Sequence, residues 1–134
     1  MLVLRAWRLL FRLQRLRLEG GQGLLVREMP EERADVRRPA ANPRLTIVFT
    51  RLALEVAARL VPFRITCLQR SVALQQLLHQ QGVHTRLRIG VRKERGVLDA
   101  HAWLEHEGAI LNGSAEHCGR YQPLDEPPRM DKGT

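Results

Sequence analysis

The sequence predicts an α+β fold, with helices first and a small antiparallel sheet packed on the last of them. Three observations carry that expectation. Apolar residues recur at helical spacing from Leu45 to Leu60, and a second helical run from Thr66 to Gly82 is bracketed by a capping signal and a glycine. Beyond Gly82 the apolar period falls to about 2, the mark of a half-buried strand. With 134 residues and no internal repeat, the chain is one domain with a modest core.

Residues 2–18 open it with Arg5, Arg8, Arg12 and Arg15 at alternating three- and four-residue steps, a basic stripe on a helix. Trp7, Leu9, Leu10, Phe11, Leu13 and Leu16 cover the other faces. Such a helix can dock on its own core, lie on a membrane surface or receive a partner. The regular arginines exclude a membrane span and a signal peptide. Residues 19–43 hold Gly20, Gly21, Gly23, Pro30, Pro39 and Pro43 and read as a connector with one short helical piece, Pro30 to Arg37. The chain therefore divides into a basic helix and connector (1–43), a core (44–118) and an irregular or disordered tail (119–134).

In the core, Asn42-Pro43 supplies an N-cap and a proline at the first helical position. Leu45, Val48, Phe49, Leu52, Val56 and Leu60 follow in the pattern of an amphipathic helix ending near Val61-Pro62. Thr66 and Gln69 then form a capping box, Gly82 ends the next helix, and Leu68, Val72, Leu74, Leu77 and Leu78 are its expected buried residues. Cys67 falls at the first helical position. The unsatisfied N–H groups and the positive end of the helix dipole there favour an anion, and so the thiolate. A lone cysteine is commonly a packing residue; the capped helix start is what singles this one out.

After Gly82, Val83, Thr85, Leu87, Ile89 and Val91 alternate with His84, Arg86, Arg88, Gly90 and Arg92. The arginine face is either solvated or a guide for an acidic peptide. Lys93 to Gly96 makes a turn, and on the strand from Val97 to His106 one face carries Asp99, His101, Trp103 and Glu105. Glu107-Gly108 suggests a hairpin into a third strand, Ala109 to Asn112.

A thiol protease needs a thiolate, an imidazole to move the proton, a group to orient that imidazole and donors for the oxyanion. Cys67 and His101 are candidates for the first two, and N–H groups of the first turn near Cys67 for the last. For the orienting group, a two-residue hairpin turn puts Asn112 diagonally on the face of His101, whereas a loop one residue longer sends it to the other face. Asp99, two residues away on the same strand face, is the other carboxamide or carboxylate in range.

The formal charge of +8 calls for an acidic partner, nucleic acid or an anionic membrane surface. No zinc-finger spacing or base-stacking strand motif accompanies it, so nucleic acid is the weaker reading. Two cysteines make no disulfide scaffold and fit a reduced cytoplasm. A zinc site from His106, His117, Cys118 and Cys67 lacks any C-x-x-C or H-E-x-x-H spacing, and no metal or cofactor is expected.

PFRITCLQRSVALQQLLHQQGVHTRLRIGVRK (62–93) and DAHAWLEHEGAILN (99–112) resemble, in order and spacing, the leader peptidases of bacterial lasso-peptide biosynthesis. These are cysteine proteases with a transglutaminase-like (papain-like) fold. The resemblance implies Cys67 as nucleophile and His101 as general base. The family places an aspartate one residue beyond Asn112, where this chain has Gly113, so Asn112 is the candidate to orient the ring. It further implies a precursor leader peptide as substrate, a small winged-helix leader-recognition protein and an ATP-dependent macrocyclase as partners, and a bacterial cytoplasmic setting, peripheral to the membrane if the N-terminal helix binds it. Arg86, Arg88, Arg92 and Trp103 are candidate contacts for the leader or partner. The alternative is a catalytically weakened scaffold for precursor and cyclase.

Overall fold

The computed structural model describes residues 2–20 and 39–125. Three helices, α1 (Leu2–Gly20), α2 (Pro43–Leu60) and α3 (Cys67–Gln80), precede β1 (Arg86–Glu94), β2 (Val97–His106) and β3 (Ala109–Ile110). A short α4 (Ala115–Gly119) and β4 (Gln122–Pro123) complete the chain. The helical piece expected at Pro30–Arg37 and the last residues of the tail lie outside the described residues.

The caps are where the sequence puts them. Asn42 Oδ1 accepts from Leu45 N–H at 3.3 Å, with Pro43 opening α2. Thr66 Oγ1 accepts from Gln69 N–H at 3.2 Å while Gln69 Oε1 accepts from Thr66 N–H at 2.8 Å, the reciprocal capping box of α3. Gln69 Nε2 also donates to Gln14 Oε1 of α1 at 2.7 Å, so the first turn of the cysteine helix is fastened to the N-terminal helix. Gly82 follows with φ of 85°.

Both hairpins close through two residues at positive φ, Arg95-Gly96 between β1 and β2 and Glu107-Gly108 between β2 and β3. The antiparallel sheet has the order β3-β2-β1-β4. Leu68, Val72, Leu74, Leu77 and Leu78 of α3 pack against Ala102 and Leu104 of β2 and against Ala6, Leu10 and Leu13 of α1. The N-terminal helix is thus part of the core, with Arg5, Arg8, Arg12 and Arg15 exposed. Among the described residues, no helix is long and apolar enough to cross a membrane.

The helix expected from Leu45, Val48, Phe49, Leu52, Val56 and Leu60 is present as α2, but that stripe faces out, with Phe49 62% and Leu52 58% exposed. Its buried side is Ile47, Thr50, Ala53, Leu54 and Ala57, which packs toward α1 and α3. Small residues let a neighbouring helix approach closely, so the closely packed face need not be the bulkier one. One expectation is corrected: the tail is not irregular throughout its described residues, 119–125. Gln122-Pro123 pairs with Val91 and Gly90 of β1, and Leu124 N–H donates to Ile89 O at 2.9 Å. An otherwise open strand edge draws in this segment because its backbone groups need partners.

Candidate active site

Cys67 is exposed on the first turn of α3, where its capped helix start holds it in the open; Cys118, on α4, is buried. Burial, with a smaller contribution from Glu105, pushes the Cys118 thiol up, which keeps it protonated and leaves Cys67 as the better-placed sulfur.

His101 lies opposite Gly90 across the β1–β2 pair. Its ring is enclosed by Trp103, stacked at 5.8 Å between centroids, His117 edge-on at 4.8 Å and Tyr121 at 5.2 Å. Gly90 makes this packing fit: a Cβ there would come within 2.7 Å of Tyr121 Cβ and 2.9 Å of Trp103. Burial first and the charge of His117 second push His101 below its ordinary 6.5, while Asp99 pulls the other way. The ring is therefore neutral near pH 7 and able to accept a proton. Its Nε2 is buried and meets no hydrogen-bond partner among the described residues.

Tyr121 links the two candidates. Its ring stands beside His101, and its hydroxyl is pushed up by burial and by its bond to Asp99, with the Cys67 charge adding to the effect. No hydrogen bond joins Cys67 to His101 among the described residues. Catalytic contacts are often long before substrate binds.

The candidates for the orienting role are engaged elsewhere. Asn112 Oδ1 accepts from Leu104 N–H at 2.7 Å and its Nδ2 donates to Ser71 Oγ at 2.8 Å; Ser71 Oγ donates on to Ala102 O at 3.3 Å. The two-residue turn is present, but β3 ends at Ile110 and the chain bends, so Asn112 turns toward α3 and does not share the face of His101. Asn112 fastens the hairpin to the cysteine helix. Asp99 accepts from the Tyr121 hydroxyl at 2.8 Å and faces Arg92 Nε at 3.4 Å; the tyrosine bond first, and Arg92 with it, hold its carboxylate below the usual range. It acts on His101 through its charge.

The arginine face is not a free contact surface. Arg86 pairs with Asp125, and Arg88, 8% exposed, reaches Glu105 and Asp125 at 3.3 Å each. Arg92 pairs with Glu94 at 3.1 Å and lies over the Tyr121 ring, 4.9 Å from its centroid. Trp103, 3% exposed, is packed with Cys118 and Tyr121, and its Nε1 donates to Glu105 at 3.2 Å. Acids of β1, β2 and the tail neutralise these cations, which the period-2 pattern does not reveal.

Tyr121 was not among the residues singled out from the sequence, and His117 was considered only as a zinc ligand. They lie at the end of the expected core and the start of the expected tail, and no spacing rule connects either to His101. No group of three or more His, Cys, Asp or Glu residues is arranged to hold a metal ion among the described residues.

A family model described as the transglutaminase-like superfamily matches residues 1–126. No curated protein and no solved structure matches the chain.

Proposed function

This chain belongs to the transglutaminase-like superfamily, and from that premise we propose that it is a cysteine peptidase that removes the leader from a lasso-peptide precursor, freeing the core amine for macrocyclisation. The observation that carries the reading is an exposed Cys67 on a capped helix start, together with a His101 whose surroundings keep it neutral. The lasso-specific part rests on the resemblance of residues 62–93 and 99–112.

Cys67 thiolate attacks the carbonyl carbon of the bond joining leader to core, and first-turn N–H groups of α3 receive the charge on the carbonyl oxygen. His101, holding the thiol proton, passes it to the leaving amine as the C–N bond breaks. A thioester joins leader to Cys67. Water then adds to it, His101 takes the water's proton, and the thiolate leaves. The family's winged-helix protein presents the leader, and its ATP-dependent cyclase uses the freed amine.

Incubation of precursor, recognition protein and this protein, read by mass spectrometry, should release the leader. Cys67→Ala and His101→Ala should each slow release by about a thousandfold or more. Undiminished cleavage in either variant sinks the reading. The scaffold alternative draws on one observation, the unpartnered His101 Nε2. It requires that Cys67→Ala leave product yield unchanged.

A further inference from the structure

The outer faces of α1 and α2 carry large apolar side chains and arginines that the peptidase reading does not use. On α2, Phe49, Leu52, Val56 and Leu60 stand exposed along one stripe, with Arg44 and Arg51 on its flank and Arg59 near its C-terminal end. On α1, Leu4, Arg8, Phe11, Arg15 and Leu18 follow at four- and three-residue steps, so apolar and basic side chains share one exposed line. The two helices pack on each other and on α3, which in turn carries the sheet, so both exposed faces lie on the helical side of the molecule. They approach each other where the Phe11 ring stands edge-on to Phe63, just beyond α2, at 5.1 Å.

The charge on this side has one sign. The only acids of the two helices are Glu19, paired with Arg15, and Glu55, paired with Arg70 of α3. A second copy laid on the same face would bring arginine to arginine. Nucleic acid would meet the arginines with phosphate but offers no apolar phase for Leu52, Val56 and Leu60. An anionic bilayer supplies both, with phosphates at the level of the long arginine side chains and acyl carbons below for the shorter apolar ones. Since Leu10 and Leu13 of α1 are taken up by the core, and no helix among the described residues is long and apolar enough to cross a membrane, the contact is with the bilayer surface.

We propose that the outer faces of α1 and α2 dock on an anionic phospholipid bilayer, with α2 lying in the interface plane, Phe49 and Leu52 among the acyl carbons and Arg44 and Arg51 on lipid phosphates. The expected basic helix thus shares the membrane contact with α2, whose outward stripe supplies most of its apolar part. The proposal is independent of the peptidase reading above.

The test uses the intact protein and sedimentation with vesicles of phosphatidylcholine, with and without phosphatidylglycerol, at physiological salt. Partitioning onto the phosphatidylglycerol vesicles should exceed that onto phosphatidylcholine alone by about tenfold or more, since each arginine near an anionic surface contributes about fivefold. Phe49→Ser with Leu52→Ser leaves the charge unchanged and should lower binding about tenfold or more. Arg44→Gln with Arg51→Gln should lower it by a similar factor. Lys93→Gln with Arg95→Gln removes the same charge from the β1–β2 turn, away from the helices, and should leave binding within about twofold of the wild type. All six positions are exposed, and thermal denaturation checks that each pair folds; the two charge pairs decide the matter even without the serine pair. Equal binding to both vesicles, binding to neither, binding kept by a folded serine pair, or the same loss from both charge pairs overturns the proposal. So does a dimer by size exclusion, or capture of a fluorescent polyglutamate peptide, that the serine pair abolishes without any vesicle binding, since a second copy or an acidic protein would then own the face.

Discussion

Gly113 stands against the unpartnered nitrogen of His101: a Cβ at Gly113 would lie 4.0 Å from His101 Nε2 and 3.2 Å from Cys118 Sγ. The position from which the resembled peptidases supply a carboxylate is thus beside the right atom but carries no side chain. Its φ of 155° and the nearby sulfur both resist one.

Gly113→Asp combined with Cys118→Ala should supply a partner for Nε2 and remove the crowding by the sulfur, while the backbone strain of a side chain at that φ remains. The expected outcome is a rise in peptide cleavage of about tenfold or more, with the acid limb of the pH–rate profile moving up, because a carboxylate favours the charged imidazole. Steady-state kinetics across pH checks it. A folded double variant with neither change would show that the missing acid does not limit the site.

Because His101 is held below 6.5, cleavage by the wild type should persist below that pH before its acid limb falls. His117→Ala removes one of the two causes and should move the limb upward. The stability sign is also fixed. Between the lowered value and 6.5 the unfolded chain binds more protons, so stability rises with pH through that window and is lost as pH falls through it. Proton NMR of the imidazole and denaturation at several pH values measure both; a limb unmoved in His117→Ala contradicts the cause.

Asn112→Leu leaves Leu104 N–H without its acceptor and removes the donor to Ser71 Oγ, which keeps its bond to Ala102 O, and should cost about 1–3 kcal/mol of stability. Since Asn112 touches the hairpin and not His101, the pH dependence of cleavage should keep its shape. Urea denaturation and the pH profile together separate these roles, and an altered acid limb would return Asn112 to the catalytic group.

Gly90→Ala should cost about 1–3 kcal/mol, because its methyl would meet Tyr121 Cβ at 2.7 Å, beside the backbone, where no flexible side-chain end can swing aside. Thermal denaturation measures it. A variant as stable as the wild type would mean that the tail sits more loosely over β1.

The caps of α2 and α3, the two tight hairpins and the place of Cys67 at the start of α3 were legible because each depends on residues within four positions of one another. Asn42-Pro43, Thr66 with Gln69, and Glu107-Gly108 act locally. What was not legible depends on distant partners. Leu45 and Phe49 form an apolar stripe whether or not anything covers it, and the pattern does not say that α1 packs on the Ala53 and Ala57 side. Arg88 reads as a surface cation until Glu105 and Asp125 are brought beside it. The surroundings of His101 depend on residues 117 and 121 folding back over a strand about thirty residues earlier, which no local signal encodes.

That fold-back has a consequence for synthesis. Chains emerge N-terminus first, so the helices and Cys67 leave the ribosome well before the segment bearing His117 and Tyr121. A chain arrested at about residue 110 would carry its sulfur and its imidazole with the tail absent, and Trp103 and Gly90 bare. The last fifteen or so described residues act as a closing clasp, and the environment that keeps His101 neutral arises only once that segment has been made.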